Sequence, residues 1–97
     1  MPTLFVLSHA PHTDPLEGRR LDMARAGDAV VLIEDAVYGA GAVDTPLTPH
    51  LSEAVARGIS LHVLAPDLQA RAVVTDLDVV DYDGLVDLIA EYDRSVH

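Results

Sequence analysis

Two acids, Glu34 and Asp35, follow directly on an apolar run at residues 29–33 and lead into Ala36, Val37 and Tyr38. Ligands and partners of an α/β sheet meet the fold at the carboxyl ends of its strands. A carboxylate pair there is therefore the first candidate for chemistry, as general acid and base. Neighbours on a strand point to opposite faces, so the two acids can share a proton only if the chain turns between them. The plainer expectation is that one of them caps the next segment or receives an arginine. Asp67 and Arg71 stand four residues apart in a short helical turn. That spacing suits a structural ion pair more than a reaction.

Other residue types offer less. His9 and His12, with Asp14, sit in a proline-containing loop, and their spacing matches no zinc pattern. They read as polar loop histidines, with proton transfer for a partner's chemistry as the alternative. His50, His62 and His97 are scattered. The loop that opens at Ser8 has no glycine, and Pro11 has no backbone donor, so it lacks the cradle a pyrophosphate needs. None of Ser8, Ser52, Ser60 or Ser95 lies in a nucleophile elbow. There is no cysteine, so thiolate chemistry is excluded. No self-contained catalytic constellation emerges, and no metal or cofactor is expected.

Positioning these residues falls to a chain of 97 residues, read as a single domain over 1–97. Hydrophobic residues make up 49% and charged residues 23%, a globular composition. Aromatic residues are only 4%, so the core must come from Val, Leu, Ile and Ala. No apolar run approaches the roughly 20 residues of a membrane helix, and no secretory signal is read, so a cytoplasmic location is expected.

Sixteen acids face six basic residues, all arginine, for a net charge of −10. That balance disfavours nucleic-acid backbones and anionic membranes. It also resembles the proteins of salt-accumulating organisms, and like charges on a small domain repel one another. Folding is therefore expected to depend on high salt. Thermal melts across a salt series test this, and full stability at low ionic strength would remove the halophilic reading.

Strand-like runs occupy residues 3–7, 29–33, 59–64 and 77–80. Helical stretches occupy 16–25, 51–57 and 82–92, with a short turn at 67–72. Loops are expected at 8–15 and 39–49, where prolines and glycines gather. In the last helix Leu85, Val86, Leu88 and Ile89 form one apolar stripe. Alternating strands and helices imply βαβ units and a small doubly wound, flavodoxin-like parallel sheet of four to five strands with helices on both faces. Its open edges make burial against another subunit an expectation.

One combination of motifs is family-like. It consists of Gly27-Asp28, Val31-Leu32-Ile33-Glu34-Asp35-Ala36-Val37-Tyr38, then Val63-Leu64 with Asp67-Leu68 and Ala70-Arg71. Val80-Asp81-Tyr82 with Leu85-Val86 and Leu88 completes it. In this order and spacing the chain resembles the DsrH/TusB family of sulfur-relay subunits. The resemblance implies a DsrE-like fold and a place in a hexamer with DsrE/TusD-like and DsrF/TusC-like subunits. Such complexes pass persulfide sulfur onward, in tRNA wobble 2-thiouridine formation or in dissimilatory sulfur metabolism.

Some DsrH-type members carry a cysteine early in the first helix, and the aligned position here is Arg20. Without a thiolate the chain cannot carry sulfur covalently, which implies a non-catalytic subunit that completes a partner's site. Glu34, Asp35 and Tyr38 are the expected partner-interface residues, with Asp67 and Arg71 next. A stand-alone homo-oligomer that binds a small anion or regulates another protein is the alternative.

Overall fold

The computed structural model describes residues 2–11 and 16–97. Five parallel strands form one sheet in the order β4-β3-β2-β1-β5. They are β1 (Thr3–Leu7), β2 (Ala29–Leu32), β3 (Ser60–Leu64), β4 (Asp78–Val80) and β5 (Arg94–Val96). Four α-helices accompany them: α1 (Leu16–Asp22), α2 (Thr48–Ala56), α3 (Ala65–Ala70) and α4 (Tyr82–Glu91). A 3-10 segment covers Glu34–Ala40. Among the described residues no helix is long and apolar enough to cross a membrane.

β2 is buried at every position, as expected of a central strand covered on both faces. Its registers with β1 and β3 are in phase, Phe5 beside Val30 and Val30 beside Leu61. Side-chain alternation then divides the sheet into two cores. Phe5, Leu7, Val30, Leu32, Leu61 and Val63 pack with Leu21, Val37, Leu51 and Leu68 on one face. Leu4, Val6, Ala29 and Val31 pack with Leu88 on the other, joined by Val80, Leu85 and Tyr92.

This division follows from the path of the chain. From β1 to β4 each strand is laid beside the last in the same direction, and right-handed crossovers keep the intervening helices on one face. Only α4 returns under the opposite face, bringing β5 beside β1. The parallel α/β class with helices on both faces is the one the alternating pattern implies. The strand order within it differs from flavodoxin's 2-1-3-4-5.

Other boundaries depart from expectation for local reasons. α1 ends at Asp22 and not at residue 25, because Met23 N and Ala24 N turn back to the carbonyls of Arg20 and Leu21. Arg57 then donates to Ala24 O at 2.6 Å and to Leu21 O at 3.3 Å, one carbonyl just past the helix end and one in its last turn. Gly27 follows in the left-handed region at φ +93°. α2 starts at Thr48, ahead of residue 51, with Pro49 in its first turn.

The expected loop at 39–49 gives up Gly39 and Ala40 to the 3-10 segment. α3 begins at Ala65, directly on the end of β3, and ends at Ala70. In α4 the Asp81 side chain accepts from Gly84 N at 2.7 Å, a side-chain N-cap. Of its apolar stripe, Leu85 and Leu88 pack inward while Val86 and Ile89 are exposed. A single helix resting on a sheet buries only a narrow stripe.

Candidate functional site at the carboxyl ends of the strands

At the end of β2 the chain turns sharply. Glu34 has φ +50°, an unusual left-handed conformation for a non-glycine residue. Its backbone N–H donates to Asp67 Oδ2 at 2.7 Å, so an α3 carboxylate from the neighbouring strand's end holds the corner. Glu34 and Asp35 thus leave the strand, and their separation onto opposite sheet faces does not arise. In the 3-10 turn, residues three apart eclipse one another, which sets Asp35 and Tyr38 on one side. Both are exposed, while Ala36, Val37 and Ala40 are buried beneath them.

Arg71 links the two segments. Its Nε donates to Asp35 Oδ1 at 2.9 Å, and its Nη1 lies 3.6 Å from Asp67 Oδ1. Nη1 also donates to Asp67 O at 3.4 Å. The i, i+4 pair between Asp67 and Arg71 is present, and Asp35 is the acid that receives the arginine. Hydrogen bonding to Asp35 raises the Arg71 pKa, against partial desolvation, with the charges of Asp35, Asp67 and Tyr38 adding to it. A guanidinium fixed in this way does not exchange protons near neutral pH. The network presents a rigid charged surface and supplies no acid–base pair.

The first loop is built differently. Glu17 is fully buried, and its Oε2 accepts from Ser8 N at 2.7 Å and from His9 N at 3.0 Å. His9 Nδ1 lies 3.4 Å from the same oxygen and its side chain is half exposed. His12 and Asp14 lie outside the described residues. Among the described residues no group of three or more His, Cys, Asp or Glu is arranged to hold a metal ion. Glu17 has no counterpart among the sequence candidates. A first-turn acid ordinarily faces solvent, and only the third dimension shows this one turned inward.

Comparison with known proteins bears on the whole of this framework. The solution NMR structure of protein Tm0979 from Thermotoga maritima superposes with a TM-score of 0.65, covering 92% of each chain at 20% identity. At that identity the likeness concerns the fold alone. No curated protein matches the sequence. The family described as DsrH like protein matches residues 11–95, from between β1 and α1 into β5. That span takes in both segments of the arginine network, three whole strands and most of β5, and on it the chain belongs to the DsrH-like family.

Proposed function

We propose that this chain is a non-catalytic subunit of a sulfur-relay complex, completing the site of a cysteine-bearing DsrE/TusD-type partner beside a DsrF/TusC-type subunit. Membership of the DsrH-like family supports a sulfur-relay role in general. The observation that carries the narrower reading is a sequence without cysteine in such a family. Persulfide transfer needs a thiolate, and this chain leaves it to a neighbour. The complex serves either tRNA thiolation or dissimilatory sulfur metabolism.

Support for the docking face comes from the Asp35–Arg71–Asp67 network. It fixes an exposed acid at the carboxyl edge, in the same 3-10 segment as the exposed Tyr38, and Tyr is a residue type enriched in interfaces. Affinity purification at native salt, followed by intact-complex mass, tests the proposal. A fixed-ratio complex with a cysteine-bearing homologue is expected. Recovery of the chain alone would overturn the relay role. The double variant Asp35→Ala/Tyr38→Ala is expected to lose the partner while keeping its thermal melt, since both side chains are exposed. Undiminished complex mass would move the interface elsewhere.

A further inference from the structure

At the opposite, amino-terminal end of the sheet, a cleft of about 800 Å³ opens between the end of α1 and the edge strand β5 with its neighbour β1. Thr3 pairs with Arg94 and Phe5 with Val96, so Arg94 and Val96 project to the same face as Phe5. Phe5, Val96 and Met23 give the cleft an apolar lining, and Arg20, Arg25 and Arg94 give it three guanidinium groups. Half of the arginines of a chain with net charge −10 therefore line one cavity.

The local charge is cancelled only in part. Asp28 is the one acid lining the cleft, and its two oxygens are occupied by backbone donors, Thr3 N at 2.9 Å and Arg25 N at 2.8 Å. Arg20 leans towards buried Glu17 at 3.8 Å. Arg25 and Arg94 form no ion pair among the described residues, although acids outnumber bases sixteen to six. By contrast Arg57 is spent on backbone carbonyls and Arg71 on two carboxylates.

We propose that this cleft binds a small organic anion, its carboxylate or phosphate head between Arg25 and Arg94 and its apolar body against Phe5, Val96 and Met23. The volume falls in the range of small-molecule pockets. Guanidinium groups bind such heads through paired, charge-assisted hydrogen bonds. The −10 net charge disfavours anion approach from a distance, but salt shortens that repulsion to a few ångströms and leaves the contact itself. The cleft and the Asp35–Arg71 network occupy opposite ends of the sheet, so this site stands independently of the relay proposal.

Octanoate is the probe, with octanol as its uncharged counterpart, titrated into the full chain at a salt concentration that keeps it folded. Saturable octanoate binding is expected, with NMR shifts at Phe5, Met23, Val96 and the arginine side chains, and much weaker binding of octanol. Arg25→Ala/Arg94→Ala changes two exposed side chains and should leave the melt unchanged while weakening octanoate about tenfold or more. Equal binding of octanol, or unchanged binding to the double variant, would overturn the anion site. So would a self-associated chain that the same double variant converts to monomer in sedimentation, because the occupant would then be a second copy.

Discussion

Glu17→Ala is expected to destabilise the fold by about 2–4 kcal/mol in denaturant unfolding, because two part-buried N–H groups lose their acceptor together and a buried side chain is removed. Ser8 N and His9 N both donate to a single oxygen, Oε2, of a fully buried side chain. Glu17→Gln keeps an oxygen of the same reach, and its carbonyl can accept both bonds. The other oxygen, Oε1, has no hydrogen-bond partner among the described residues and lies 3.8 Å from Arg20 Nη1. An amide nitrogen there forfeits one long ion pair and leaves a buried donor without an acceptor. The glutamine variant should therefore cost less than the alanine variant, about 1–2 kcal/mol. If glutamine were as damaging as alanine, the charge towards Arg20 and His9 would be what matters, and the loop-anchoring account would fail.

The contrast between Glu17 and the Asp67–Arg71 pair shows what a sequence of this kind reveals. A spacing of four within one helix is a local property, and so is the burial of β1 and β2 in continuous apolar runs. Both can be read along the chain. The bond from Arg71 to Asp35 spans 36 residues and exists only because β2 and β3 lie side by side. β5 escapes notice because Arg-Ser-Val carries no apolar run, and its pairing with β1 depends on the return of α4.

The same holds for the corner at Glu34. Nothing local marks a glutamate for φ +50°; the acceptor that holds it is Asp67, thirty-three residues away. The amino-end cleft is legible only once Arg94 is brought beside Arg20 and Arg25 in one cavity. Composition showed six arginines and could not show that half of them share a site.

Asp28 should respond to substitution in the opposite manner from Glu17. It is nearly buried and uses both oxygens: Oδ1 accepts from Thr3 N, at the start of β1, and Oδ2 accepts from Arg25 N, in the turn before β2. One carboxylate thus ties the entry of β1 to the entry of β2, adjoining the register that sets Leu4 beside Ala29. Asparagine matches the shape but offers one oxygen, so its amide nitrogen would face a backbone donor. Asp28→Asn is accordingly expected to cost about 2–4 kcal/mol, close to Asp28→Ala and above Glu17→Gln. Hydrogen exchange should report the loss at the amides of Thr3 and Arg25 first, since each loses or keeps its acceptor according to how the asparagine is turned. An Asp28→Asn protein as stable as its parent would show that one of the two bonds carries no energy. Asp28 also lies in the wall of the arginine-lined cleft, where its oxygens are bonded to backbone N–H groups and form no direct ion pair with Arg25 or Arg94. Fold and cleft therefore depend on the same carboxylate: the bonds that hold the first two strands together also fix it in the cleft wall, where its charge offsets one of the three guanidinium groups.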